Sequence, residues 1–599
     1  MDDRRLVVLG PAQDLSILEV KKDCGNTKTQ AAGTRVKSLK FAVKASECFV
    51  YAVPDRFEYL AVKDLQPCTR QGEPQVPMKT FVLELERDAE ICGVEVVAGR
   101  FAKVQGEVRI APSPRAAEPN WNKLIPDEAI YGRNTLFPGS LVRYESGCDN
   151  ERQHVFIRFF PLQYAPAAKE AILVTEATIR LYYKAGQPRA RLKEIPESSG
   201  TASVTNRIMT PSAQCVIICP SALREQGQRL ASFHTDKEDI CSAVVTTEAI
   251  RAAYPPAEDP PFEGCKNRDA AGWKLFGHYD YVLARQIIAY MRDRAAHPHL
   301  AYLTLLGDAT LVPPSYYYSH HFCEMQTRYT DWMPTDMFYA SPDYDLVPNY
   351  HLGRLSVSTP AEGHNLVGKI ERWHEHAQTD WIKKVYLVNA WVTSRFDWYR
   401  KGLFDGFQVK RLASVDDRVE RVYADPAFTT AEAGFVFLGQ HGSGGEVVFN
   451  SSMLTSDDLM SYGTHARLPM VLAVTCDNGA FDFGLASNRS LAHSFGECVL
   501  LSKAGGIAYI GATRTTTAVH TECFYKGQMI TTHVKYRGAL MYYPLLAYRD
   551  GAATLGELDS KAVLRYIADN DVNGDPIHQT EILQHVLLGD AALKIPPFR

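Results

Sequence analysis

The pattern of apolar and polar residues divides the chain into two parts of different character. Residues 1–184 contain short alternating or apolar runs separated by turn residues, such as FVLELERD (81–88) and EATIRLYYK (176–184). Alternation with a period of two is typical of half-buried β-strands, and helical periodicity is nearly absent here. The pattern therefore predicts an all-β, sandwich-like domain over residues 1–184.

A polar stretch follows at residues 185–212 and is rich in Ser, Thr, Pro and Arg. This composition favours a linker over a packed element. Arg189, Arg191 and Arg207 are basic residues within it, so we interpret the segment as a candidate processing site.

Beyond the linker, apolar runs alternate with segments of helical periodicity. Strands are predicted at 215–220, 242–245, 301–308, 384–391, 421–424, 434–439, 470–475 and 505–514, and helices at 222–234, 281–295, near Arg400 and at 491–504. Strands that alternate with helices indicate a mostly parallel sheet covered on both faces. We therefore predict a catalytic α/β unit of two subdomains, at 213–375 and 376–599.

Composition and charge narrow the class of protein. The chain has 599 residues, 46% hydrophobic and 22% charged, which is typical of a multidomain globular protein. A formal net charge of −4 gives no electrostatic reason to expect nucleic acid as a partner. The first residues lack the apolar core of a secretory signal, and no run is long enough for a membrane span. The sequence favours a cytoplasmic protein, or a secreted one if a signal lies outside this sequence.

The 13 cysteines are odd in number and include no CxxC pair, which favours reduced thiols. Cys215 and Cys219 lie on one apolar run and are interpreted as core residues. A zinc site at His320, His321 and Cys323 is disfavoured because the spacing is poor for a tetrahedral centre.

Two predicted strands end in reactive side chains followed by glycine-rich sequence. GFVFLG (434–439) precedes His441, and MVLAVT (470–475) precedes Cys476, which lies 35 residues later. The carboxyl ends of neighbouring parallel strands share one edge of the sheet, where a nearby imidazole promotes the thiolate form of a cysteine. The backbone N–H groups of Gly442 and Cys476 could then form an oxyanion hole. A buried core histidine and an ordinary buried cysteine are the alternative.

These two segments, GQHGSGG (439–445) and AVTCDNGAFDF (473–483), resemble the catalytic blocks of the gingipain family of cysteine peptidases, which belong to the caspase-like clan. Further blocks resemble the family in the same order: YLTLLGDATLVPP (302–314), TDMFYASPDYD (335–345), YHLGRLSV (350–357) and HVLLGDAALKI (585–595). Residues 155–184 also resemble the end of the family's β-rich propeptide.

The resemblance implies a caspase-like α/β fold and hydrolysis of protein or peptide substrates through an acyl-enzyme. His441 would be the general base and Cys476 the nucleophile. The N-terminal domain would inhibit the enzyme until the linker is cut. This chemistry requires no cofactor, and a structural calcium ion is an open alternative. We expect Asp308 and Asp336 to cap loops rather than bind metal.

The chain also departs from the family pattern. Gln440 stands where the family has glycine before the histidine. The carboxylate that orients the histidine in arginine-specific members aligns near Trp391, where this chain has none, although Asp397 lies in the same loop. A catalytically impaired pseudopeptidase or partner-binding module is therefore one alternative. An intracellular peptidase activated by a partner is another.

Side-chain specificity stays open at this level. Acidic residues that could bind a basic substrate side chain are Asp397, Asp405, Asp477 and Asp482. Arg514 lies at the end of the predicted strand at 505–514 and would favour an acidic substrate residue if it pointed into the pocket. Gln440 is a further candidate for the pocket wall.

Overall fold

The computed structural model of the chain describes residues 4–25, 33–67, 69–116, 120, 122–186, 207–266, 279–319, 332–377, 379–388, 402–412, 433–449, 452–461, 467–485, 493–526 and 528–598. They form two compact units. The first unit comprises Met1–Thr201, Val519–Lys535 and Ile567–His578, and the second comprises Ala202–Ala518, Tyr536–Tyr566 and Gln579–Arg599. The predicted strand at 421–424, the helix near Arg400 and most of the linker lie outside the described residues.

Thirty strands are present in the described part of the chain. The N-terminal strands are β1 (Arg4–Leu6), β2 (Gln13–Asp14), β3 (Asp23–Gly25), β4 (Thr34–Ala42), β5 (Cys48–Val53), β6 (Phe57–Val62), β7 (Gln66–Pro67), β8 (Pro77–Glu86), β9 (Glu90–Lys103), β10 (Val142–Cys148), β11 (Arg152–Phe159), β12 (Leu162–Ala165) and β13 (Glu170–Lys184). The remaining strands are β14 (Cys215–Cys219), β15 (Ser242–Thr246), β16 (Tyr302–Leu306), β17 (Ser315–Tyr318), β18 (Trp332–Thr335), β19 (His351–Leu355), β20 (Lys384–Val388), β21 (Gln408–Leu412), β22 (Phe435–Gly439), β23 (His441–Ser443), β24 (Glu446–Phe449), β25 (Ser452–Thr455), β26 (Met470–Val474), β27 (Ala508–Ala512), β28 (Ala518–Tyr525), β29 (Gln528–Tyr536) and β30 (His585–Leu588).

The first unit is built from antiparallel sheets, with strand orders β1-β5-β6, β10-β11-β8-β7 and β12-β13-β9-β2. Inward-facing residues of the second and third sheets share one apolar core, for example Val155 from β11 and Ile179 from β13. Such alternation of buried and exposed side chains is what the sequence pattern predicted. The sandwich-like N-terminal domain is therefore confirmed.

The first unit also contains a hairpin, β28–β29, from the C-terminal half of the sequence. Cys523 and Ile530 of this hairpin share an apolar cluster with Val53 and Phe57. The hydroxyl of Thr521 donates to the side chain of Gln75 at 2.7 Å. The apolar pattern of the sequence did not indicate that this hairpin completes the N-terminal domain.

The second unit has one ten-stranded sheet in the order β15-β14-β16-β19-β30-β27-β26-β22-β20-β21. All neighbouring pairs are parallel except β27 and β30, which are antiparallel.

The described helices of the chain are Glu128–Tyr131, Arg224–Lys237, Thr247–Ala253, Glu263–Lys266, Tyr281–Arg292, Met337–Ala340, Pro360–His376, Thr379–Ile382, Ser456–Ser461, Phe495–Leu501, Arg537–Leu540, Tyr543–Arg549, Leu555–Asp569 and Pro576–Leu583. The α/β fold class is confirmed.

The two predicted subdomains are the two sides of this single sheet. Strands β14, β15, β16 and β19 come from residues 213–375, and the other six come from residues 376–599. The C-terminal strand β30 joins the sides by pairing with both β19 and β27. The sheet therefore runs continuously through the position where the sequence suggested a boundary.

Local sequence explains where the helices begin. Asp280 precedes the helix Tyr281–Arg292, and its carboxylate accepts the N–H of Leu283. Ser494 forms a capping box with Glu497 at the start of the helix Phe495–Leu501. These caps satisfy N–H groups that have no partner within the helix. Within the described residues, no helix is both long and apolar enough to cross a membrane.

Candidate active site

Two adjacent parallel strands, β22 and β26, end at the candidate site. Gly439 at the end of β22 lies opposite Val474 at the end of β26. The N–H of Gln440 extends the pairing by donating to the carbonyl of Val474 at 3.2 Å. His441 and Cys476 therefore leave the sheet at the same edge, as the order of the strands predicted.

His441 begins the short strand β23, which pairs antiparallel with β24, and β24 pairs with β25. His441 lies opposite Val448, and both side chains are exposed, whereas Val447 and Leu454 on the other face are buried. Gln440 is only 6% exposed. Its side chain is therefore largely buried, and its place in the wall of a substrate pocket stays a prediction.

The thiol of Cys476 is partly buried and is hydrogen bonded to the backbone of Thr516. The N–H of Thr516 donates to Sγ at 3.5 Å, and the S–H lies 3.6 Å from the carbonyl oxygen of the same residue. Burial raises the pKa of Cys476 to about 12, although the N–H of Thr516 opposes that rise. The thiol is therefore protonated at neutral pH in this conformation.

Gly442 packs directly against the segment that carries the thiol. A Cβ atom at this position would lie 2.7 Å from the carbonyl oxygen of Cys476 and 2.6 Å from Oδ1 of Asn478. The side chain of Asn478 donates to the carbonyls of Ser443 at 3.2 Å and Glu446 at 2.8 Å. These bonds tie the loop after β26 to the loop after β23, so the two sequence blocks form one structural site.

The charged candidates for a substrate pocket have different environments. Arg514 and Asp482 are fully buried and form a bidentate ion pair, at 2.5 and 2.9 Å. This corrects the suggestion that Arg514 selects acidic substrates, because its charge is neutralised inside the protein. Asp477, next to Cys476 in the sequence, is partly exposed at the rim of the candidate site and has a positive φ of 57°. Asp405 is exposed, and Asp397 lies outside the described residues.

Asp308 and Asp336 have structural roles, as predicted. The carboxylate of Asp308 accepts the N–H groups of Thr310 at 2.9 Å and Leu311 at 3.2 Å. Asp336 forms a buried bidentate pair with Arg354, at 2.6 and 2.7 Å. No group of three or more His, Cys, Asp or Glu side chains is arranged to hold a metal ion within the described ranges. His320, His321 and Cys323 fall outside those ranges.

A second cysteine–histidine cluster lies in the interior of the second unit. His234 is 2.7 Å from Asp590, and both are fully buried, as is Cys215. Burial alone would lower the pKa of His234, but the Asp590 carboxylate and Cys215 raise it to about 10. A peptide cannot reach these residues, so the cluster is structural. Cys215 and Cys219 are core residues, as predicted.

Sequence reasoning did not identify three residues that organise the candidate site: Asn478, Thr516 and Glu581. Asn478 lies within the TCDNG segment, so its polar side chain beside the thiol was a signal that could have been used. Thr516 and Glu581 are joined by hydrogen bonds of 2.6 and 2.8 Å across 65 positions of sequence. No local pattern connects them, because only the tertiary fold brings them together.

A thiol and an imidazole thus lie at the carboxyl edge of a parallel sheet and are flanked by glycine backbone, which is where α/β enzymes place their working groups. Comparison of the sequence with models of known protein families gives two matches. The model of peptidase family C25 matches residues 209–596, and the model of the C25 propeptide matches residues 43–205. The chain therefore belongs to peptidase family C25: it is a cysteine peptidase made as a zymogen, with its propeptide at the N-terminal side.

Individual relatives are distant. An uncharacterized protein of Archaeoglobus fulgidus is 30% identical over 336 residues, covering 51% of this chain and 77% of that protein. The complex of Porphyromonas gingivalis RgpB pro- and mature domains is 12% identical, with a TM-score of 0.43, covering 64% of this chain and 79% of that one. Dimeric latent PorU from the same organism is 11% identical, with a TM-score of 0.28, covering 96% of this chain and 54% of that one. The family assignment rests on the sequence matches.

Proposed function

We propose that Cys476 is the nucleophile and His441 the general base of this cysteine peptidase. The observation that carries the proposal is the parallel pairing of β22 with β26, which brings both residues to one sheet edge. The close packing of Gly442 against the carbonyl of Cys476 supports it, because it joins the two segments. The backbone N–H groups of Gly442 and Cys476 are the proposed oxyanion hole.

The proposed reaction has two half-reactions. The thiolate of Cys476 attacks the carbonyl carbon of the scissile peptide bond, forming a C–S bond and a tetrahedral oxyanion. The C–N bond then breaks, and the leaving amine takes the proton that His441 removed from the thiol. Water, deprotonated by His441, attacks the thioester, which releases the carboxylic acid and restores the thiol.

The N-terminal domain is proposed to inhibit the peptidase before processing. The match of residues 43–205 to the C25 propeptide supports this role. The protonated state of the Cys476 thiol also supports a latent form, since only the thiolate is nucleophilic. Processing is proposed to occur in the linker at 185–212, where Arg189, Arg191 and Arg207 are present.

The environments of the pocket candidates support a preference for basic over acidic substrate residues. Asp477 is an acidic side chain at the partly exposed rim, next to the proposed nucleophile. The positive charge of Arg514 is paired with Asp482 inside the protein. A basic substrate side chain near the thiol would therefore meet a carboxylate at the rim.

A peptide-library cleavage assay tests the proposal. Processed wild-type protein is expected to cleave, and Cys476→Ala and His441→Ala are expected to lose activity by at least about 10³-fold, as removal of a nucleophile or base usually does. Cys241→Ala is the matched control, because Cys241 is an exposed thiol away from the candidate site. Cleavage by Cys476→Ala at the wild-type rate would exclude Cys476 as the nucleophile.

A second candidate function is that of a pseudopeptidase that retains the fold as a binding module. Gln440, which stands where the family has glycine before the histidine, motivates this alternative. A mechanism-based probe for thiol peptidases separates the two functions. Stoichiometric labelling of Cys476 after processing supports the peptidase, whereas absence of labelling together with absence of cleavage supports the pseudopeptidase.

A further inference from the structure

A buried carboxylate, Glu581, holds the backbone segment that contacts the proposed nucleophile. The hydroxyl of Thr516 donates to the two oxygens of Glu581, at 2.6 and 2.8 Å. The N–H of Thr517 donates to the same carboxylate at 3.2 Å. The Glu581 carboxylate therefore accepts hydrogen bonds from the side chain of Thr516 and from the backbone N–H of the following residue.

The peptide groups of Thr516 itself face the sulfur of Cys476. The N–H donates to Sγ at 3.5 Å, and the carbonyl oxygen lies 3.6 Å from Sγ. A hydrogen-bond donor on sulfur favours the thiolate over the thiol. The orientation of this one N–H therefore affects the chemistry of the thiol, and the bonds to Glu581 restrict that orientation.

The carboxylate belongs to a costly buried network. Glu581 and Arg537 are both fully buried, with Nε and Oε2 separated by 3.1 Å. Arg537 also lies 2.7 Å from Nδ1 of His585, whose Nε2 is 2.7 Å from Asp559. Replacing a buried ion pair by apolar side chains is often neutral or stabilising, so such a pair is weak evidence for a purely structural role.

We propose that Glu581 is a positioning residue of the peptidase, which fixes Thr516 so that its N–H points at the sulfur of Cys476. The inference rests on the proposed role of Cys476 as nucleophile. Glu581 does not contact the sulfur; it acts through Thr516. Among the described residues, the charges of Asp477 and Glu581 raise the pKa of the thiol and that of Arg537 lowers it, so Glu581 favours the thiolate only through its hold on Thr516.

The decisive variant is Thr516→Val, which keeps the shape of the side chain and removes the hydroxyl. Thr516→Ser is the matched control, because it keeps the hydroxyl. Alkylation of Cys476 by iodoacetamide is followed by mass spectrometry as a function of pH, and it needs no catalytic turnover. The exposed thiol of Cys241 in the same molecule is the internal standard. Glu581→Gln is a second variant, used if its melting profile shows that it folds.

In Thr516→Val, alkylation of Cys476 relative to Cys241 is expected to slow at least threefold, with its pH profile displaced to higher pH. The kcat of the processed enzyme is expected to fall while KM stays close to the wild-type value, and Thr516→Ser is expected to resemble wild type. A folded Thr516→Val protein whose Cys476 is alkylated as fast as wild type, or faster, overturns the proposal. This result differs from failure of the proposed function, which would appear as cleavage by Cys476→Ala.

Discussion

At the scale of single residues, the candidate site depends on how closely two backbone segments approach each other. Gly442 has no side chain, and the space that a Cβ would occupy already contains the carbonyl of Cys476 and the amide of Asn478. The glycine in the QHGSG segment is therefore required by packing as well as by the proposed chemistry. Packing and the proposed catalysis thus both favour glycine at position 442.

Gly442→Ala is accordingly expected to displace the two segments and to lower kcat/KM by about 100-fold, the usual consequence of a misplacement near 1 Å. The measurement is peptide cleavage by the processed variant, with circular dichroism to show that the fold is retained. Ser443→Ala is the control, since Ser443 is exposed on the same strand. Unchanged cleavage by Gly442→Ala would show that the two segments need not be this close.

The buried pair of His234 and Asp590 leads to a prediction about stability and pH. The pKa of His234 is raised from 6.5 to about 10 in the folded protein, mainly because Asp590 outweighs the effect of burial. A raised pKa stabilises the fold fully below pH 6.5, and this contribution is lost as pH rises to about 10. The urea midpoint of the wild type should therefore fall over this range, and His234→Gln should show a flatter profile. Parallel profiles for the two proteins would contradict the assignment.

At the scale of elements, the strands were the most predictable feature and their tertiary partners the least. The predicted strands at 434–439 and 470–475 correspond closely to β22 and β26, because each is a buried apolar run bounded by glycine or polar residues. The small sheet β23–β24–β25 was not predicted, because its strands are short and interrupted by glycine and polar residues. Contacts between distant segments, such as Thr516 with Glu581, leave no periodic signal in the sequence.

The helix Phe495–Leu501 shows how one element depends on a distant side chain. Nζ of Lys369 donates to the carbonyls of Val499, Leu500 and Ser502, at 3.2, 2.6 and 2.7 Å. These carbonyls lie at the end of the helix, where acceptors lack partners within the helix itself. A lysine from the long helix Pro360–His376 thus caps a helix that follows the proposed nucleophile in the sequence.

Lys369→Met keeps much of the side-chain volume and removes the donor. We expect it to destabilise the second unit by about 1–3 kcal/mol, the usual cost of leaving buried polar groups unsatisfied. Urea denaturation measures the change, and Lys503→Met is the control because Lys503 is an exposed lysine in the loop after the same helix. Equal stability of Lys369→Met and Lys503→Met would show that the three hydrogen bonds contribute nothing.

At the scale of the whole molecule, the division of the chain into units does not follow the order of its sequence. The first unit takes two segments from the C-terminal half, Val519–Lys535 and Ile567–His578. Within that unit, the N–H of His520 donates to Asn122 at 2.9 Å, and the ammonium of Lys535 donates to Ser113 at 2.8 Å and to the carbonyl of Thr69. The sequence pattern predicted the β-rich N-terminal domain, whereas this exchange of segments depends on contacts that composition does not encode.

A single cut in the linker at 185–212 is therefore expected to leave the two fragments bound to each other. The hairpin β28–β29 remains on the C-terminal fragment while its apolar and polar partners in the first unit are on the N-terminal fragment. Size-exclusion chromatography after limited proteolysis should show both fragments in one peak, which separates only in denaturant. Separate elution immediately after the cut would contradict this expectation.

The same hairpin has a practical consequence for producing the peptidase. A shortened gene that begins near residue 213 would encode β28 and β29 without the strands that cover them. Cys523 and Ile530 would then lose the apolar neighbours contributed by Val53, Phe57 and Tyr59. An uncovered apolar hairpin is a site for aggregation. Soluble enzyme is therefore best obtained by expressing the whole chain and cutting it afterwards, rather than by expressing its C-terminal part alone.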